Sequence, residues 1–195
     1  MGKIAIAILA AGKGSRFDDQ NPKLLALLKG RSLLSYALKA AIESTLSPIL
    51  LIVGNKKEQI INNCVENVQI VYNAEWEQGM STSVKTALET LENDLKITAV
   101  CIGLGDQPYI GAKAYQRLAN VTTEHEQFLA VATYNQKRRN PVLIPRSLWP
   151  KAKQLTGDIG AKQLMSMYPV IEVDCTDTGN PIDIDTKEQL INIRS

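Results

Sequence analysis

Ile4 to Leu9 is an unbroken apolar hexapeptide, Ile-Ala-Ile-Ala-Ile-Leu, with Gly12 and Lys13 close behind it. Successive side chains of a strand point to opposite faces. Both faces are apolar here, so the segment reads as a strand buried on both sides, the kind that belongs to parallel sheets covered by helices. The pattern then repeats. Ser32 N-caps a helix through Ser44 whose apolar stripe is Leu34, Ala37, Leu38 and Ala41. Ile49 to Val53 is a strand closed by Gly54, and Lys56 to Val65 a helix with Ile60, Ile61 and Cys64 inward. Val68 to Tyr72 is a strand. Ser81 to Leu91 is a helix with the stripe Val84, Ala87, Leu88 and Leu91. Ala99 to Leu104, Ala112 to Ala119 and Phe128 to Thr133 continue as strand, helix, strand. Beyond Tyr134 the pattern loosens into strands at Val142 to Ile144, Val170 to Val173 and Pro181 to Ile184, with helices at Ile159 to Met167 and Lys187 to Ile193. Such alternation builds an α/β fold, a three-layer α/β/α arrangement around a mainly parallel, Rossmann-like sheet. Ligands of such sheets bind at the carboxyl ends of the strands.

Composition narrows the function. The 195 residues suit one domain, and 45% hydrophobic with 22% charged residues is ordinary for a globular chain. A net charge of +2 gives no broad field for nucleic acid or membrane, so neither partner is expected. The cysteines Cys64, Cys101 and Cys175 are odd in number and lack C-x-x-C spacing, which argues against a disulfide framework. The apolar run at the amino terminus is too short to span a bilayer and lacks the flanks of a signal peptide, so a cytoplasmic location is expected.

Three segments carry unusual chemistry. Leu9, Ala10, Ala11, Gly12, Lys13, Gly14, Ser15 and Arg16 follow the first strand directly, with Lys23 after Pro22. Small residues let backbone amides approach phosphate oxygens, and the cations add charge that a bland glycine turn would not need. The spacing matches neither the P-loop nor the dinucleotide fingerprint. In Gly103-Leu-Gly-Asp106-Gln-Pro108 an acid stands just past a strand, either as a Mg²⁺ ligand or as a turn cap. In Pro181-Ile-Asp183-Ile-Asp185 two acids alternate along an apolar strand and so share a face, where they repel unless a cation intervenes. The plainer alternative is an exposed edge with Asp185 capping the last helix. If the sheet brings Asp106 and Asp185 together, Mg²⁺ or a cationic side chain must offset their repulsion.

Taken in order, these and three further segments resemble the molybdenum cofactor cytidylyltransferases and the wider MobA-like NTP transferases. The motifs are Leu9 to Arg16 with Lys23 for L-A-A-G-x-G-x-R…K, Gly79-Met-Ser-Thr-Ser83 for G-M-x-x-S, and Gly105-Asp-Gln-Pro108 for G-D-x-P. Asn140-Pro-Val-Leu143, Gly157-Asp-Ile-Gly-Ala161 and Asp183-Ile-Asp-Thr-Lys-Glu188 complete the set. The chain departs from the pattern at Arg16-Phe-Asp18, where relatives carry R-M-G, at Arg139, where they often have glycine, and at Asn140, where histidine is frequent. The Pro22-Lys23 pair is also similar to the methylerythritol-phosphate cytidylyltransferases. The resemblance implies a GT-A-like nucleotidyltransferase fold over residues 1–195, with 1–110 binding nucleotide and 111–195 binding acceptor and completing the metal site. It implies transfer of CMP from CTP to a phosphorylated, molybdopterin-type acceptor, with Mg²⁺ as cofactor and a molybdoenzyme as possible client. Arg16, Lys23 and Asp106 would be catalytic. The loop 9–16, Lys23, Gly79, Ser83 and Asp106 would bind nucleotide, and Asp106, Asp185 and Asp183 would hold metal. Ala11 and Gly105 favour cytidine over guanosine. Sugar-phosphate or isoprenoid-precursor transfer shares the loop and the metal, and a non-catalytic cofactor-delivery protein is the alternative of a different class.

Other features carry less. His125, the only histidine, stands in a charged stretch, so a Ser–His–Asp triad or a histidine zinc site is not expected. Lys137-Arg-Arg139 reads as a solvated hairpin, with contact to an anionic acceptor as the alternative. Trp76 and Met80 pack either in the core or on a ring of the substrate.

Overall fold

The computed structural model describes residues 2–14, 16–17, 21–63, 67–122 and 128–194. In chain order the elements are β1 (Lys3–Ala10), β2 (Leu27–Leu28), β3 (Arg31–Ser32), α1 (Leu33–Glu43), β4 (Ile49–Val53), α2 (Lys57–Ile61), β5 (Gln69–Tyr72) and α3 (Met80–Leu91). They continue with β6 (Ile97–Leu104), α4 (Ala112–Thr122), β7 (Leu129–Tyr134), β8 (Lys137–Pro145), α5 (Trp149–Ala152), α6 (Lys162–Met167), β9 (Val170–Asp174) and α7 (Lys187–Arg194).

Seven strands form one sheet in the order β5-β4-β1-β6-β8-β7-β9. All run parallel except β8, which pairs antiparallel with both neighbours. The apolar hexapeptide lies in β1 between β4 and β6, and its two faces feed two cores. Ile6 and Ile8 join Leu34, Ala37, Leu38 and Ala41 of α1 and Ala114, Tyr115 and Leu118 of α4. Ala5, Ala7 and Leu9 join Val84, Ala87, Leu88 and Leu91 of α3. The helices therefore sandwich the sheet, as the alternation of runs predicts. Ser32 caps α1, its Oγ accepting from Ser35 N at 3.2 Å. A third, smaller cluster joins Leu28 and Leu33 to Ile184 and Leu190, so the β2–β3 hairpin packs against the segment that carries Asp183 and Asp185.

Four expectations change. Pro181 to Ile184 is not a strand. Pro181 has no N–H, and the segment is tied to the turn after β6 by separate bonds, Asn180 N to Tyr109 O at 3.0 Å and Ile184 N to Asp106 O at 3.2 Å. The helix expected from Lys56 is the five-residue α2, entered through Lys56 at φ 52, and it leaves Ile61 39% exposed rather than inward. The helix expected from Ile159 starts at Lys162, because Gly160 at φ 53 breaks it from a single 3₁₀ turn at Gly157–Ile159. β8 extends back to Lys137, since Asn135 and Gln136, both at positive φ, make a two-residue hairpin turn with β7. Lys137, Arg138 and Arg139 are exposed on that hairpin, and Arg138 pairs with Glu172 at 2.7 Å. Cys101 and Cys175 are buried free thiols in the α1–α4 core. Ser15, Asp18, Cys64 and His125 lie outside the described residues. No helix among the described residues is long and apolar enough to cross a membrane.

Candidate active site

The parallel strands end along one edge of the sheet, and the loops that leave β1, β4 and β6 meet there. Gly105 N donates to the carbonyl of Leu9 at 3.0 Å, which binds the turn after β6 to the end of β1. Asn55, just past β4, donates from its backbone to Ala11 O at 3.2 Å and from Nδ2 to Lys13 O at 3.3 Å. A trans peptide points its N–H opposite its C=O. The amides of Gly12 and Gly14 therefore aim away from Asn55. Gly14 has φ 62, and a Cβ there would stand 3.2 Å from Lys23 Cβ, so the glycine lets the loop lie against the root of that lysine. Gly54 is wedged between Ala11 and Trp76, whose Cβ atoms would be 2.8 and 2.6 Å from a Cβ at that position.

The charged centre is drawn from three remote segments. Lys23 Nζ lies 2.6 Å from Asp106 Oδ2 and 3.0 Å from Asp185 Oδ1, and Arg16 Nη2 lies 3.1 Å from Asp185 Oδ2. Only 12% of the Lys23 side chain is exposed, against 19% for Asp106, 28% for Asp185 and 76% for Arg16. Arg16, Lys23, Asp106 and Asp185 thus form one cluster. The cation between the two carboxylates is the Lys23 ammonium itself.

Burial disfavours the charge on Lys23, but Asp106 first and then Asp185 outweigh it, so its pKa stands above the ordinary lysine value. Burial pushes the Asp185 carboxyl up. Its hydrogen bond from Lys23 and the charges of Lys23 and Arg16 win, and the pKa ends below the usual carboxylate value. Asp183 goes the other way. Protein packed around its carboxyl removes water, and the charges of Asp106 and Asp185 add to the rise, against a hydrogen bond from Gln107. Asp183 is therefore an electrostatic neighbour of the cluster, although its side chain turns to Gln107 at 2.8 Å rather than to Lys23.

The model of the MobA-like NTP transferase domain matches residues 6–173. The chain belongs to this family. Among its relatives is the bifunctional protein GlmU of Streptomyces avermitilis, 31% identical over 132 residues, or 66% of this chain and 27% of that protein. The chain spans about a quarter to a third of the length of the curated relatives it matches. Among solved structures, a homolog of Mycobacterium tuberculosis Rv0371c from Mycobacterium sp. strain JC1 superposes with TM-score 0.84 at 25% identity, covering 97% of this chain and 96% of that one. Rv0371c of M. tuberculosis H37Rv, in complex with manganese, superposes with TM-score 0.82 at 22% identity over 98% and 97% of the two chains.

The remaining expected residues of this MobA-like chain sit at the start of α3. Gly79 has φ 107, and a Cβ there would come within 2.6 Å of Asp158 Oδ1 and 2.7 Å of the Gly157 carbonyl carbon. Asp158 Oδ1 accepts from Met80 N at 3.2 Å and so occupies one amide at that helix end. Ser83 is buried, and its Oγ accepts from Asn73 Nδ2 at 3.1 Å. The shape of the α3 start is thus set by Asp158 and Asn73. Sequence reasoning did not single out Asn55, Asn73 or Gln107. Asn55 had a readable signal, a carboxamide directly after a buried strand and a glycine. Asn73 and Gln107 had none.

Proposed function

We propose that the chain transfers CMP from CTP to a phosphorylated acceptor of the molybdopterin type, releases pyrophosphate, and works in the cytoplasm with Mg²⁺. The observation that carries this reading is the Lys23 ammonium held between Asp106 and Asp185, beside a loop whose Gly12 and Gly14 amides aim away from Asn55. Oxygen of the acceptor's terminal phosphate attacks the α-phosphorus of CTP in line. The new P–O bond forms as the bond to the β-phosphate oxygen breaks, and pyrophosphate carries away the electron pair. The protein need supply only alignment and charge, with no nucleophile of its own. Residues 1–110 hold the nucleotide and 111–195 the acceptor. The amides of residues 11–15 cradle the triphosphate, Arg16 and Lys23 neutralise it with help from Lys13, and Gly79 and Ser83 shape the base side.

Asp106 and Asp185 fit a Mg²⁺ site, with Asp183 as the further candidate. Their oxygens are hard donors that already converge on one cation. Among the described residues no three acidic, histidine or cysteine side chains gather into a complete metal cage. Mg²⁺ usually takes one or two carboxylates and completes its shell with water and substrate phosphates. The manganese complex of the mycobacterial protein supports a divalent ion in this fold. When bound, the ion would neutralise phosphate charge. Lys23 would then exchange its carboxylate partners for the triphosphate.

The test is pyrophosphate release in Mg²⁺ with each of the four NTPs, offered molybdopterin, a sugar 1-phosphate and an isoprenoid-precursor phosphate. CTP with molybdopterin should be the productive pair, and Asp106→Ala should nearly abolish its turnover. A larger rate with GTP overturns the cytidine assignment, a different acceptor overturns the molybdopterin assignment, and no release with any pair leaves a binding protein.

A further inference from the structure

Gln107 follows Asp106 and is only 2% exposed. Its Nε2 donates to Asp183 Oδ1 at 2.8 Å and to the Pro181 carbonyl at 3.4 Å. A peptide carbonyl can only accept, so the amide has to present its NH₂ end to this segment. Its Oε1 is buried and meets no donor among the described residues. A buried carbonyl left without a donor is a cost, and the protein carries it at a residue that serves here purely as a donor.

The receiving segment carries both remaining acids. Backbone bonds from Asn180 to Tyr109 and from Ile184 to Asp106 fix where the segment runs, but they leave the Asp183 side chain free to rotate. Asp183 reaches solvent. A carboxylate near two like charges would swing outward unless it were held from the protein side. Gln107 is the group that holds it.

The geometry points to Gln107 as a positioning residue. It sets the Asp183 carboxylate at the orientation that a divalent ion and a triphosphate require. This rests on the metal-dependent nucleotidyl transfer proposed above. Partners that orient ligating carboxylates from behind have a characteristic effect on metal affinity, a loss of about 10–100-fold when removed.

The experiment is a double-mutant cycle of Gln107→Met and Asp183→Ala. It is read by electron paramagnetic resonance of free Mn²⁺ with each of the four NTPs in turn, alongside kcat and KM for pyrophosphate release. Gln107→Met should weaken Mn²⁺ binding on the order of tenfold and lower kcat more than it raises KM for the nucleotide. In the Asp183→Ala background the same change should cost less than about twofold, because coupled residues are not additive. Gln107→Asn, which keeps the amide one methylene short of its partners, should behave like Gln107→Met and serves if the latter does not fold. Equal losses in both backgrounds would show that Gln107 merely stitches two loops, and unchanged Mn²⁺ affinity would remove it from the site. Both results overturn the inference while leaving nucleotidyl transfer standing. A non-additive cycle in a protein that releases no pyrophosphate would do the reverse. A wild type that binds no Mn²⁺ beyond the nucleotide blank overturns both.

Discussion

Asp183 and Asp185 stand two residues apart and shift in opposite directions, because at Asp185 the hydrogen bond from Lys23 and the charges of Lys23 and Arg16 outweigh burial, whereas at Asp183 burial and the charges of Asp106 and Asp185 outweigh the hydrogen bond from Gln107. That difference has a measurable sign. The unfolded carboxyl titrates near about 3.9, and folded Asp183 titrates higher. Between the two values the folded state binds more protons than the unfolded state, so the contribution to stability falls as pH rises through that window. Asp183→Asn removes the titration and keeps an Oδ1 acceptor for Gln107. In EDTA the variant should melt above the wild type at pH 7, and the gap should close as pH falls below the unfolded value. A gap that widens toward acid would mean the Asp183 carboxylate is stabilised in the fold, contrary to its surroundings. Sequence alone picked out Lys23, Arg16 and Asp106, because cations and a turn acid placed just beyond buried strands suit an anionic ligand and its metal, with a turn cap as the alternative at Asp106. It could not carry the split between Asp183 and Asp185. Their alternation suggested one strand face, and what separates them is partners remote in sequence, Lys23 at Asp185 and Gln107 at Asp183, the latter 76 positions away.

Elements with a strong period were readable, and those defined by backbone exceptions were not. The β1 hexapeptide and the α1 and α3 stripes repeat at strand and helix spacing, and each lies in the core where that spacing places it. The start of α6 and the loss of the strand at Pro181 follow from a positive φ and from a missing N–H, which leave no periodic trace. The glycines of the site divide along the same line. Gly79 combines φ 107 with backbone and carboxylate atoms under 3 Å from any Cβ, whereas a Cβ on Gly12 meets nothing within 4 Å. Gly79→Ala should therefore cost about 1–3 kcal/mol and disturb the α3 end that Asp158 caps. Gly12→Ala should leave stability within about 0.5 kcal/mol and raise KM for the nucleotide, since the methyl would stand where phosphate oxygens approach the loop. Urea midpoints and steady-state kinetics on the two variants separate the roles. If Gly12→Ala binds nucleotide normally, phosphate does not approach that amide.

At the scale of the whole molecule, the fold's main product is the meeting of charges that are far apart in the chain. Lys23 and Asp106 are 83 positions apart, and Lys23 and Asp185 are 162. Only the parallel sheet, by ending β1 and β6 at one edge and returning the chain after β9 to the turn at Asp106, brings them together. The sequence argument could say that two such acids would need a cation, and could not say which. The structure supplies Lys23, so the metal-free protein is not a repelling pair waiting for an ion. Losing the lysine should then harm the metal-free fold. Hydrogen bonds between charged, largely buried groups contribute about 1.5–3 kcal/mol, and in a domain of this size each kcal/mol moves the melting temperature by about 2–4 °C. Lys23→Met should accordingly lower the melting temperature in EDTA by several degrees. Mg²⁺ added without nucleotide should restore part of the loss and raise the variant more than the wild type, because in the wild type the ammonium already occupies the carboxylates the ion would use. Calorimetry of both proteins across a Mg²⁺ titration makes the comparison. Equal melting in EDTA would show that the Lys23 bridge contributes no stability in solution. Equal response to Mg²⁺ would show that ion and ammonium do not compete for Asp106 and Asp185, and the metal would then have to sit elsewhere.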